Sequence, residues 1–173
     1  MYPKEFVQYL MHFHGDRDYF ECHEILEEYW KENDKGNKDS IWVGFIQLAV
    51  STYHHRRANF KGAKRTLEKA LTIFKRQSSS LTSLGLDSTI LIPLLHKRFT
   101  TIEKEEAYTS FNLPICDLFL LKTCIEDCKQ SGFIWGKESD FAKEGLIHRH
   151  KLRDRTSIIQ ERVLALQERK GNE

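Results

Sequence analysis

The ten residues Ile41-Trp42-Val43-Gly44-Phe45-Ile46-Gln47-Leu48-Ala49-Val50 are apolar on nearly every side of the helix they would form. A helix of that kind cannot lie on a surface and has to be surrounded by other elements. A buried strand is the other reading of so short a run, but the pattern continues through Tyr53 and favours a helix from about Asp39 to Ala58. The first half of the chain supplies companions for it. Phe6, Leu10 and Phe13 recur at helical spacing between Pro3 and Phe13, and Gly15 breaks that helix. Asp16 or Asp18 can cap a second helix reaching about Asn33, and the run 33–37 is a turn by composition. Asn59 can cap a fourth helix with Phe60, Ala63, Leu67, Ala70, Leu71 and Phe74 as its inner face.

The second half is less regular. Ser78-Ser79-Ser80 and Gly85 read as a flexible link, and a helix follows from Asp87 to about Phe99 with Pro93 inside it. Tyr108 to Pro114 looks extended, and Pro114 to Gln130 reads as a helix ended by Gly132. Asp140 to Lys170 is charged and helical in pattern, with Ile158, Ile159, Val163, Leu164 and Leu166 as its one strong apolar stretch. So thin a stripe does not sustain a helix alone and needs something to dock on. The expected fold is all-α: an antiparallel helical bundle over residues 1–100, and a partly helical C-terminal extension, 101–173, docked on the bundle or on a second subunit. A homo-oligomer is compatible with the second arrangement.

Nine Gly and three Pro among 173 residues leave the backbone free to form long helices. A net charge of +2 argues neither for a dedicated nucleic-acid protein nor for a membrane-surface protein. No apolar run approaches membrane-spanning length, and the N-terminus lacks an export signal core, so the expected location is the cytoplasm. Four scattered cysteines, Cys22, Cys116, Cys124 and Cys128, do not make a disulfide framework and lack zinc-finger spacing; they read as reduced, partly buried thiols.

Polar residues interrupt two apolar faces. His23, Glu27 and Trp30 stand one above another on the second helix, while Glu24, Glu28, Lys31 and Glu32 point elsewhere. Gln47, Ser51 and His54 form a matching line on the third helix. A carboxylate inside an apolar face is costly unless something pairs with it, so the two lines are expected to meet. The expected cluster is His23 and Glu27 facing Gln47, Ser51 and His54, with Trp30 over one end. Such a cluster can be a hydrogen-bond network that fixes helix register, or a small-molecule pocket. It can also be a metal site in which His23, Glu27 and His54 hold zinc, manganese or iron, leaving a position open for the water that assisted hydrolysis needs. In that case Glu24 or the bound water is the candidate base. His23-Glu24-Ile25-Leu26-Glu27 is not the zinc-protease pattern, because Glu27 stands where a second His belongs.

Between His54 and Arg76 eight Arg and Lys residues face one acid, Glu68, and read as a solvated helix face, with phosphate or nucleic-acid binding as the other reading; no nucleic-acid motif accompanies them. His148-Arg149-His150-Lys151-Leu152-Arg153-Asp154-Arg155 reads as an exposed linker, with a basic partner-binding arm as the other reading. Ser51 one turn before His54 is better placed for backbone hydrogen bonding than for nucleophilic catalysis.

Taken together, Tyr19-Phe20-Glu21-Cys22-His23-Glu24 with Glu27 and Trp30, then Gly44-Phe45-Ile46-Gln47-Leu48-Ala49-Val50 with Tyr53-His54, then Asn59-Phe60-Lys61-Gly62-Ala63, resemble the bacterial domain of unknown function family 309. Its mark is His-x-x-x-Glu-x-x-Trp, and the resemblance covers roughly residues 5–75. It implies a small all-helical bundle of the bacterial or archaeal cytoplasm. The label of metal-dependent hydrolase that some members carry rests on the positions of His23 and Glu27. Three functions follow as expectations: a helical-bundle protein whose polar cluster is structural or ligand-binding; a metal-dependent hydrolase using His23, Glu27 and His54; or an interaction module using the basic C-terminal helix.

Overall fold

The computed structural model describes residues 1–149 together with 160, 163, 164 and 167. Among these residues the chain is all-α, with helices α1 (Lys4–His14), α2 (Tyr19–Asn33), α3 (Ile41–Arg56), α4 (Phe60–Arg76), α5 (Ser78–Ser83), α6 (Ser88–Glu103), α7 (Leu118–Gln130) and α8 (Glu144–Ile147). Short polar side chains start them. Asp18 accepts the Glu21 N–H at 2.9 Å, Asn59 the Gly62 N–H at 3.0 Å and Asp117 the Leu120 N–H at 2.9 Å. Each satisfies an amide that the first turn leaves without an intrahelical partner.

The apolar run takes the central place. Helix α3 lies between α2 and α4, α4 packs on α6, and α1 packs on both α2 and α7. Neighbours run antiparallel. Tyr29 late in α2 meets Trp42 early in α3, while Phe20 early in α2 meets Tyr53 late in α3. Gly44 near the start of α3 sits under the Phe74 ring near the end of α4. Phe6, Tyr9, Phe13, Phe45 and Phe74 form a continuous aromatic spine of fully buried rings. No helix is long and apolar enough to cross a membrane among the described residues.

Some boundaries differ from the sequence expectation. Ser78–Ser83 is a short helix, not a flexible link, because Leu81 is fully buried and anchors it. Helix α7 starts at Leu118, not Pro114. Residues ahead of it are held in a different way: Cys116 N–H donates to Gly85 O, and Asp87 N–H donates to Pro114 O. In the expected helix from Asp140 onward, Glu144–Ile147 is helical, and so are residues 160, 163, 164 and 167, while the described residues 140–143 are not. Val163 and Leu164 are exposed. Ile158, Ile159, Leu166 and most of the basic C-terminal segment lie outside the described residues.

Three arginines fasten the second half of the chain to the bundle. Arg17, Arg56 and Arg98 are all buried. Arg17 donates to the carbonyls of Phe13, Phe111 and Lys137 and to Asn112 Oδ1. Arg56 donates to Arg17 O, Ser139 Oγ and Leu146 O, and lies 4.6 Å above the Tyr19 ring. Arg98 donates to Thr109 Oγ1 and to His55 Nδ1, and lies 4.3 Å above the Phe111 ring. The basic run from His54 is therefore not uniformly a solvated face. Arg56 points inward, since its place on α3 falls on the side that residues 139–146 cover. Buried His14 completes the joint. Leu113 N–H donates to its Nε2 at 2.9 Å, and its ring stacks on Trp135. Burial holds His14 down at about 4, so it is a neutral spacer.

Candidate ligand groove between α2 and α3

The core face of α2 is Tyr19, Cys22 and Leu26, all fully buried. His23 follows Cys22 by one position, or roughly 100° of helical rotation. The His23–Glu27–Trp30 stripe therefore lies along the edge of the seam with α3 and not on its line of closest approach. The side chains of His23 and Glu27 retain 22% and 33% exposure. That corrects the expectation of a sealed polar cluster: the seam opens here into a groove.

Two chambers make up the groove. The larger, about 260 Å³, has His23, Glu27 and Trp30 on the α2 side, Val43, Gln47 and Val50 on the α3 side, and Lys38 from the connecting turn. The smaller, about 180 Å³, is lined by Tyr19, Phe20, His23, Val50, Tyr53 and His54. His23 and Val50 belong to both walls, so the chambers meet at them.

An ion-pair chain forms the floor. His23 Nε2 lies 2.8 Å from Glu27 Oε2, and its Nδ1 lies 3.2 Å from Glu24 Oε1. Lys31 Nζ is 2.8 Å from the other Glu27 oxygen. Burial alone would lower the His23 pKa, but the hydrogen bonds and charges of Glu24 and Glu27 outweigh it and hold the imidazolium up at about 9. The His23 hydrogen bond, opposed by burial and helped by Lys31, holds Glu27 down at about 2. At neutral pH both ring N–H groups donate.

The other expected members are distributed differently. Gln47 lines the larger chamber and has no hydrogen-bond partner among the described residues. Trp30 lines it too, and its Nε1–H donates to Asn37 O at 3.1 Å, closing the α2–α3 turn. Ser51 is not part of the groove. Its hydroxyl donates to Ala63 O at 2.7 Å on the α4 side, because α3 is flanked by helices on both sides and Ser51 falls on the far one. His54 shares the smaller chamber with His23 but lies outside the compact donor group. That group is His23, Glu24 and Glu27, each offering one ligand atom within 4.8 Å of the others. The sequence reading points Glu24 away from the His23 stripe, yet its carboxylate turns back onto His23 Nδ1. Helical angle alone misses this, because a two-methylene arm spans the offset between adjacent positions. Val43 and Val50 border the polar line of α3 in the sequence reading and do line the groove; Lys38 is a groove residue that the stripe argument does not name, since it lies in a turn where no period applies.

The family model described as "Domain of unknown function (DUF309)" matches residues 6–66. The "Uncharacterized protein YpuF" of Bacillus subtilis (strain 168) is 46% identical over 170 residues, 98% of each chain. The chain belongs to the DUF309 family. The DUF309 match takes in α1 to α3 and the start of α4, and so every residue that lines the groove. The alignment with YpuF also spans the second half of the chain. No solved structure matches the chain significantly.

Proposed function

We propose that this DUF309 protein binds a small organic molecule in the α2–α3 groove, with the His23–Glu27 pair as a fixed dipole on its floor. The observation that carries this reading is an ion pair left partly open to solvent where two chambers meet. A network serving only to set helix register would be closed over, because water weakens the pair it is meant to exploit. Gln47 and Lys38, both without hydrogen-bond partners among the described residues, supply polar groups to a mostly apolar wall, the usual make-up of a ligand site. Buried Cys22, Cys124 and Cys128, whose thiols burial pushes up, support a reducing cytoplasmic setting.

The test is a screen of small neutral and charged aromatic fragments against the full chain, read by the Trp30 indole and Gln47 amide signals in ¹H–¹⁵N spectra. Fragments that shift those signals in the native protein and not in Val43→Trp support the reading. A screen that leaves both signals still, in a protein whose other signals respond, overturns it.

A second reading, a metal-assisted hydrolase, draws on the 4.8 Å grouping of His23, Glu24 and Glu27. Here Glu24 is a ligand and not the base. The metal has to displace a proton from a His held protonated to about 9, and to take Glu27 from Lys31. Calorimetry with zinc should then show release of about one proton per site at pH 7, less as pH rises. Silence at both pH 7 and pH 9 removes this reading.

A further inference from the structure

The smaller chamber has its own chemistry, set by the cap of α4. Asn59 Oδ1 accepts the Gly62 N–H, which fixes the amide's orientation and turns its NH₂ toward His54 Nδ1 at 3.1 Å. A ring nitrogen that accepts a hydrogen bond does not carry the proton, so neutral His54 carries it on Nε2. Burial, and then the charges of Arg57 and Arg65, keep His54 below its ordinary pKa and hence neutral at pH 7. The Nε2–H is a donor with no acceptor among the described residues, on a ring that lines the chamber.

Cations flank the same place. Arg57 lies 5.3 Å above the Tyr53 ring and uses its Nε on His148 Nδ1. Its terminal nitrogens find no acceptor, and neither Arg57 nor Arg65 pairs with a carboxylate, among the described residues. Arg149, 5.8 Å above the Phe20 ring, is already paired with Asp18 and Glu21. Among the described residues the His54 side of the rim therefore carries positive charge that no carboxylate pairs with, above an interior of Tyr19, Phe20, Val50 and Tyr53.

We propose that the smaller chamber takes an aromatic organic anion, its ring against Phe20, Val50 and Tyr53 and its carboxylate or phosphate on His54 Nε2–H and the Arg57 guanidinium. This rests on the ligand-groove reading and names the ligand's chemical class. Volume sets the size: 180 Å³ exceeds the ~150 Å³ apolar cavity that accommodates benzene, so one ring fits and two do not. A long aliphatic acid would have to run on into the larger chamber across the His23–Glu27 pair and strip water from it without replacing its hydrogen bonds. A cation is repelled by Arg57 and Arg65, whose charges act on His54 at this rim.

The experiment titrates the full chain with phenyl phosphate, phenylacetate, benzyl alcohol and benzylamine, following the Val50 methyl groups and the His54 ring by NMR. Both anions should bind about tenfold tighter than benzyl alcohol, the size of one charge-assisted hydrogen bond. Benzylamine should not bind. The difference between phenyl phosphate and phenylacetate states which anionic group the rim prefers. Arg57→Gln, a change at a partly exposed position, should remove most of the anion advantage and leave benzyl alcohol unaffected. Val50→Trp fills the chamber and should abolish binding of all three. Equal binding of benzylamine and phenyl phosphate, or an anion advantage untouched by Arg57→Gln, overturns the proposal. Shifts confined to Lys61, Lys64 and Arg65 that survive Val50→Trp mean an adventitious ion only. If the probes move Trp30 and Val43 instead, the groove reading stands and this assignment falls; if no probe or fragment moves either chamber, both fall.

Discussion

His23 is the residue on which the groove's electrostatics turn, and its titration gives a measurable signature. Its pKa is raised from 6.5 to about 9 in the folded chain, so its contribution is complete below pH 6.5 and is lost as pH rises through 9. Glu27 is lowered from 4.5 to about 2, so its contribution is complete above pH 4.5 and is lost as pH falls through 2. The pair is therefore at full strength between pH 4.5 and 6.5. Because solvent reaches both side chains, its worth is about 1 kcal/mol, well short of a buried pair. Urea unfolding of the native chain and His23→Gln should show a gap of that size at pH 5.5, narrowing by pH 9.5. A gap that is the same at both pH values would mean that the loss comes from packing and not from the imidazolium. Glu27→Gln should also destabilise at pH 5.5, since it breaks the ion pair with His23 and the one with Lys31.

Helix α3 shows why the bundle was legible and where legibility stopped. Its all-round apolar run required burial on both flanks, and α2 and α4 supply it. The caps Asp18 and Asn59 and the break at Gly15 were readable because each has a local cause. Gly15 also has a non-local one: a Cβ there would stand 2.9 Å from Cys128 Sγ on α7. The groove was harder to read. Helical periodicity places His23, Glu27 and Trp30 on one stripe but does not say whether that stripe or its neighbour, Tyr19–Cys22–Leu26, faces α3. One position of rotation separates a sealed network from an open one. Ser51 failed for a related reason, since a helix flanked on two sides has two inward faces. Gly44 carries the element's own prediction. A Cβ there would lie 2.7 Å from Phe74 Cε1 and 3.2 Å from Ile73 Cγ2, and the Phe74 ring is fully buried with nowhere to retreat. Gly44→Ala should destabilise by about 1–3 kcal/mol, although alanine is the better helix former by about 1 kcal/mol. Thermal unfolding checks the sign, and adding Phe74→Leu should recover part of the loss. Stabilisation by Gly44→Ala alone would show that the α3–α4 spacing is looser than the ring contact implies.

At the scale of the whole molecule, three buried cations bridge the two halves of the chain. Arg17, Arg56 and Arg98 are each more than nine-tenths buried, and none pairs with a carboxylate among the described residues. Their charge is met by carbonyl oxygens, hydroxyls and ring faces, mostly from residues 109–146. Arg17 also holds φ at +58°, a left-handed backbone that a side chain tolerates at a cost of about 1 kcal/mol when its contacts demand it. Burying a guanidinium is costly, and removing its acceptors is costlier than never having placed it there. We infer that residues 1–100 and the segment after them fold as one cooperative unit. A chain ending at Glu103 should keep much of its far-ultraviolet helical signal but lose near-ultraviolet dichroism and a sharp melting transition. A chain ending at Arg149 retains all three sets of acceptors and should melt within a few degrees of the full chain. Replacing Arg17, Arg56 and Arg98 together by Met in the shorter chain should restore part of the cooperativity, because an apolar side chain of similar reach needs no acceptor. If the chain ending at Glu103 melts as sharply as the full one without those changes, the arginines are passengers of the fold and the fastening lies elsewhere, in the packing of α7 on α1.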